Sequence, residues 1–249
     1  MIFEERTYRS QFNTSRFTGF EINYLETDVW IGINPSSFKT EMKDIAFSKI
    51  KSLREKLDAY IKSEPFFQKS LKPFQPSEHA PLEAKEMALA AGKIGTGPMA
   101  AVAGLFAREV GREFMQNFRV EEMIIENGGD IFALLNKEML LSVFAGSSPL
   151  SNRIGLAIPE EMGEFGICTS AGTVGPSLSY GKADAVVVIC KDVLLADAFA
   201  TAFGNKVKSP NDVEKVIHMS EKYPEIISML IICEDQIGIR GDFEIRLLK

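Results

Sequence analysis

Ala185-Val186-Val187-Val188-Ile189-Cys190 leads into Lys191-Asp192-Val193-Leu194-Leu195-Ala196-Asp197-Ala198-Phe199-Ala200-Thr201-Ala202-Phe203-Gly204. Six apolar residues in a row predict a strand buried on both faces. The segment after it predicts a helix over Lys191–Phe203, with Asp192 as N-cap and Gly204 just past the end. Between these caps only Asp197 and Thr201 are polar. Working outward, Ile154–Ile158 and Gly166–Cys168 read as strands and Pro210–Lys222 as a helix. Ile226–Glu234 and Gln236–Leu247 read as a closing hairpin.

The first half follows the same plan. Phe17–Tyr24 alternates with period two, and Asp28–Ile33 follows a short turn. A helix is expected from about 37 to 62, then an irregular connection marked by Pro65, Pro73 and Pro76. Pro81 suits a helix start before Leu82–Ala91, with Gly92, Gly95 and Gly97 interrupting. Pro98 opens a further helix to about Asn117. Strands return at Val120–Glu126, Ile131–Leu135 and Met139–Ala145. The Gly146–Asn152 loop is the best internal boundary, dividing one body of 1–249 into halves of about 1–148 and 149–249. Strands grouped with strands, and helices with helices, argue an α+β fold of antiparallel sheets with helices on one face. The halves share element order but no detectable sequence identity.

Composition narrows the function classes. The chain has 249 residues, 45% hydrophobic and 25% charged, which are ordinary globular values and exclude disordered and collagen-like chains. A net charge of −6 gives nucleic-acid binding no support. The one basic stretch, residues 39–72, is interleaved with Asp44, Glu55, Asp58 and Glu64, as a solvated helical face would be. Cys168, Cys190 and Cys233 are odd in number and sit in apolar runs, so they read as reduced core thiols. Met1–Arg6 has no hydrophobic signal region, and no apolar run reaches ~20 residues, so a cytoplasmic chain outside the membrane is expected.

Four places could carry chemistry. Asp197 and Thr201 are four apart, hence on one helix face with Cβ atoms ~6 Å apart. A carboxylate in an apolar helix is costly unless it is paired or metal-bound, and two oxygen ligands suit Mg²⁺. The plainer alternative puts Asp197 on an Arg or a backbone amide and bonds Thr201 back to the carbonyl of residue 197. Asn127-Gly128-Gly129-Asp130 is either a simple hairpin turn or a loop that a ligand can approach closely. Gly166–Ser177, dense in hydroxyls and glycine, includes Thr169, Ser170, Gly172 and Thr173; it is an anion nest or a self-bonded loop. Gly95-Thr96-Gly97 precedes a helix start, which favours a phosphate, although the context of a dinucleotide fold is missing. His79 and His218 lack metal-pair spacing, and no G-x-S-x-G elbow is present.

Taken in order, three motifs resemble the ApbE-type flavin transferase superfamily: Ile124–Ile131, Thr169-Ser170-Ala171-Gly172, and Ala196-Asp197-Ala198-Phe199-Ala200-Thr201-Ala202. Ala100–Ala107 is similar to the family's small-residue helix start. The resemblance spans about residues 95–205 and is to a short, uncharacterised branch. It implies a T-fold-like tandem duplication of two antiparallel-sheet/two-helix units, with FAD bound where they meet. It implies Mg²⁺ on Asp197, Thr201 and a backbone carbonyl of the alanine-glycine helix start, with the Asn127–Asp130 loop and Thr169–Thr173 contacting the nucleotide. The implied reaction passes FMN from FAD to a threonine hydroxyl of an acceptor protein and releases AMP. Asp184 is the candidate general base. T-fold assembly through sheet edges implies a homodimer. One segment departs from the family: Val174–Lys182 stands where transferases carry His-x-x-Asp-Pro. A non-catalytic flavin- or nucleotide-binding protein, or a structural homo-oligomer, is therefore the alternative.

Overall fold

Strands β1 (Thr18–Tyr24) and β2 (Thr27–Ile33) pair as an antiparallel hairpin. The computed structural model describes residue 9 and residues 15–160, 162–172, 180–241 and 243–248. The N-terminal residues 1–8, Thr173 and the segment 174–179 lie outside the described residues. Helix α1 (Met42–Ser63) follows, with Met42, Ala46, Ile50, Leu53 and Leu57 forming its buried stripe at helical spacing. It starts later than the expected 37, because Ser37 and Phe38 amides close a turn on the Asn34 carbonyl. The proline-marked connection contains a short helix, α2 (Pro65–Lys69), with Pro65 in its first turn.

Helix α3 (Leu82–Ile94) runs through Gly92 and is ended by Gly95, whose φ of +85° supplies the left-handed cap. A 3₁₀ turn over Pro98–Ala101 then feeds α4 (Val102–Asn117). Strands β3 (Met123–Asn127) and β4 (Asp130–Leu135) form the next hairpin. After β5 (Met139–Ser142) and β6 (Ile154–Ile158) come β7 (Gly163–Ser170) and β8 (Ala185–Cys190). Helices α5 (Val193–Gly204) and α6 (Val213–Ser220) lead to β9 (Ile226–Cys233), β10 (Gln236–Arg240) and β11 (Ile245–Leu247).

One antiparallel sheet runs in the order β1-β2-β3-β4-β7-β8-β9-β10, so the fold mixes helices with an antiparallel sheet as expected. Helices are inserted between β2 and β3 and between β8 and β9. All of them lie on one face: Val186, Val188 and Cys190 belong to the core they share with α1, α3, α4, α5 and α6. Ala185, Val187 and Ile189 point the other way, into a second core. That explains why β8 is apolar at every position.

The second core is closed by a three-stranded sheet, β11-β6-β5, which the equal-halves plan did not foresee. Two expectations change with it. Met139–Ala145 leaves the main sheet to pair with β6 across the Gly146–Asn152 loop. Gln236–Leu247 is two strands, not one. At Gly241 φ is +103° and a Cβ would lie 2.4 Å from the Ile227 carbonyl oxygen, so only glycine turns the chain there. Beyond it β11 pairs with β6.

Candidate functional site

Register puts the chemistry on one face of the sheet. Asp130 of β4 lies opposite Cys168 of β7, and Asn127 pairs with Asp130. Directly paired residues share a face, and Cys168 is in the helix-side core. Asn127, Asp130, Cys168 and, two residues on, Ser170 therefore face the helices. Thr169 is on the other face; its amide donates to the Gly129 carbonyl at 3.2 Å.

Against this row sit the start of α4 and the middle of α5. Asp197 is buried, and its Oδ2 accepts the Gly104 N–H at 2.9 Å. The plainer reading of Asp197, a backbone amide partner, is thus present. A residue of α5 caps α4, where the helix dipole favours negative charge. The approach is tight: a Cβ on Gly104 would lie 2.9 Å from the Val193 oxygen and 3.1 Å from the Asp197 Cβ. The Asn127 side-chain amide reaches the same helix start, donating to the Ala103 carbonyl at 3.2 Å. Thr201, one turn along α5, is half-buried. At the end of the helix Gly204 packs on the Ser170 hydroxyl, where a Cβ would sit 3.1 Å away.

The electrostatics of this cluster are unusual. Burial pushes the Asp197 carboxyl up to about 7, and the Gly104 and Ala103 amides only partly offset it. Asp130 is raised well above the usual range by burial and then by the charge of Asp197, with Glu126 adding to it. The Cys168 thiol, bonded to Asp130 and near the Val193 carbonyl at 3.6 Å, is raised by burial and by both carboxylates. Among the described residues neither Asp130 nor Asp197 takes part in an ion pair. Two buried carboxylates facing one another without a cation are costly.

That cost is the test of fit for a metal. Among the described residues no three His, Cys, Asp or Glu side chains are grouped to hold one. A cation here would rely on a mixed oxygen set of carboxylate, hydroxyl and helix-start carbonyl, with waters completing the shell, which suits Mg²⁺. The donor chemistry fits.

The remaining expected residues divide between the turn beside this cluster and places away from it. Gly128 and Gly129, with φ of +69° and +97°, form the turn between Asn127 and Asp130. The Gly172 amide donates to the Ala183 carbonyl at 2.7 Å. Gly95 caps α3, and Gly97 packs so closely that a Cβ would lie 1.7 Å from the Ser70 oxygen, so both have sufficient structural reasons to be glycine. Asp184 is four residues from Val188, which pairs with Cys168, hence ~13 Å along the strand from Cys168, and two residues from Val186, which pairs with Ser170. Its Oδ2 accepts the Glu234 amide at 2.7 Å, at the β9–β10 turn. Sequence reasoning missed Cys168 and Gly104 as site neighbours. Gly104 had a signal, the small residues of Ala100–Ala107, which permit helices to approach; Cys168 had none.

The family model described as AbpE bacteria matches residues 9–222. The UPF0280 protein of Methanosphaerula palustris is 42% identical over 165 residues, 66% of this chain and 69% of that protein. The UPF0280 protein of Methanococcus vannielii is 36% identical over 226 residues, 89% of each. Among solved structures, the Pseudomonas stutzeri flavinyl transferase ApbE in its apo form aligns with a TM-score of 0.56 and 12% identity, over 90% of this chain and 93% of that one. The ApbE protein of Thermotoga maritima aligns with a TM-score of 0.53 and 13% identity, over 91% and 97%. The family match and the shared fold together bear out the resemblance read from the motifs: the chain belongs to the AbpE bacteria family, with UPF0280 proteins among its relatives.

Proposed function

We propose that this chain binds a flavin nucleotide, FAD, between the Asn127–Asp130 turn and the start of α4, with a divalent cation, and acts on its pyrophosphate. The observation that carries the reading is the buried pair Asp130 and Asp197, brought together from a strand and a helix. Asp197 and Thr201 would hold Mg²⁺, with a helix-start carbonyl completing the protein's share. Held by these residues, the cation would supply neutralisation of charge on the pyrophosphate. The Asn127–Gly129 turn, Ser170 and Gly172 would line the nucleotide.

The reaction proposed is FMN transfer; its support is the fold shared with the Pseudomonas stutzeri protein, a flavinyl transferase. A threonine oxygen of an acceptor protein bonds to the FMN phosphorus, the pyrophosphate P–O bond breaks, and AMP leaves with the bridging oxygen. The hydroxyl proton goes to a carboxylate. We assign this role to Asp130; Asp184 is engaged at the β9–β10 turn, and we assign it a structural role. The tandem T-fold-like duplication and a homodimer belong to the same proposal. The repeated order of strands and inserted helices supports the duplication.

A second reading, flavin or nucleotide binding without transfer, is favoured by one observation: Val174–Lys182 contains neither histidine nor Asp-Pro. Incubation with FAD and Mg²⁺ separates the readings. AMP release with protein-bound FMN fluorescence on a denaturing gel supports transfer. Saturable quenching of FAD fluorescence without products supports binding alone. Neither signal would contradict both and leave a structural oligomer.

A further inference from the structure

The reverse face of the glycine turn carries a charged assembly that the site itself does not use. Glu126 pairs with Ile131, which belongs to the second core, so its side chain points away from the helices. It is 1% exposed. Its two oxygens have different tasks. Oε1 accepts the Gly129 N–H at 2.8 Å, and Oε2 accepts Arg9 Nε at 2.7 Å. Arg9 also donates to Asp28 Oδ1 at 2.7 Å and to Glu21 Oε1 at 3.3 Å, so one guanidinium ties β1, β2 and β3 together. On the near face the same turn presents Asn127 to the Ala103 carbonyl and Asp130 to Asp197.

We propose that Glu126, anchored by Arg9, is a positioning residue for the nucleotide site: it fixes the Gly129 amide and thereby sets where Asn127 and Asp130 stand. Two consecutive glycines at positive φ have the widest conformational freedom of any turn. Gly129 is held at both ends, its N–H by Glu126 and its carbonyl by the Thr169 amide at 3.2 Å. A hydrogen bond to an ionised acceptor is among the stronger constraints available. Its burial keeps water from competing. This inference rests on the FAD reading above, because positioning has a consequence only if the turn meets a ligand.

The test compares Glu126→Gln, Glu126→Ala and Arg9→Gln with the parent, reading FAD affinity in Mg²⁺ by fluorescence quenching and Gly129 amide exchange without ligand. Gln keeps one acceptor for Gly129 but turns its NH₂ against Arg9, so Glu126→Gln should lose less affinity than Glu126→Ala and keep the Gly129 amide better protected than Glu126→Ala does. Glu126→Ala should lose at least about tenfold in affinity and exchange faster at Gly129, in protein that is folded by its thermal midpoint. Equal affinity of parent and folded Glu126→Ala would overturn the positioning role and leave the FAD reading intact. No FAD binding by the parent would overturn the FAD reading and this inference with it. If Glu126→Ala does not fold, Arg9→Gln decides: wild-type affinity in it overturns the anchoring role, and a fivefold or larger loss supports it.

Discussion

Asp197 has one oxygen on the Gly104 amide and a raised carboxyl beside Asp130. The sign of its effect on stability follows. Its folded value is raised from 3.8 to about 7, so the folded chain holds a proton that the unfolded chain has already released. The stabilisation is complete below 3.8 and is lost as pH rises through about 7. Asp130 shifts in the same direction. In metal-free protein the melting temperature should therefore fall from about pH 5 to 8, and Asp197→Asn should flatten that slope. The lowered carboxylates, Glu83 and Glu122 among them, act below this window. An unchanged slope in the variant would remove Asp197 from the titrating pair. Added Mg²⁺ should raise the melting temperature more at pH 8 than at pH 6, because the metal competes with the proton.

At the scale of elements, the close crossing of α4 and α5 brings the site together. Gly104→Ala places a methyl group against the Val193 oxygen and Asp197, and should cost about 1–3 kcal/mol in denaturant unfolding. Gly92→Ala is the contrasting case. It sits inside α3 with nothing within 4 Å of its Cβ position, and should gain about 0.4–1 kcal/mol. Opposite signs for these glycines are the expected outcome; equal signs would contradict the packing described. Most elements were legible because periodicity and caps are local: Asp192 does accept the Leu194 amide at 2.9 Å, as its N-cap position suggested. The break at Gly241 was not legible, since its cause is a close contact with Ile227 on the neighbouring strand β9, set by the hairpin register. The meeting of Asp130 with Asp197 was hidden for the same reason. Each motif could be read alone, but their distance depends on strand register and on how near two helices come.

For the whole molecule, the helices on one face and the small sheet on the other seal the middle of the main sheet. All three cysteines are free and buried, and burial raises each thiol. Native protein should therefore react slowly with a thiol reagent at neutral pH, and denatured protein should titrate three thiols at once. Rapid native labelling would show that one of the layers opens. The layer order also explains why fold class was readable from the grouping of strands and helices, while the third layer was not. Strands β5, β6 and β11 are short, and β11 comes far later in the chain than the strand β6 it pairs with.

The central claim is that Asp197 helps hold a divalent cation for a dinucleotide. It is tested most directly by calorimetric titration of FAD into parent and Asp197→Asn protein, with and without Mg²⁺. Mg²⁺ should strengthen FAD binding to the parent by tenfold or more and have little effect on the variant. Equal Mg²⁺ dependence in both proteins would contradict it.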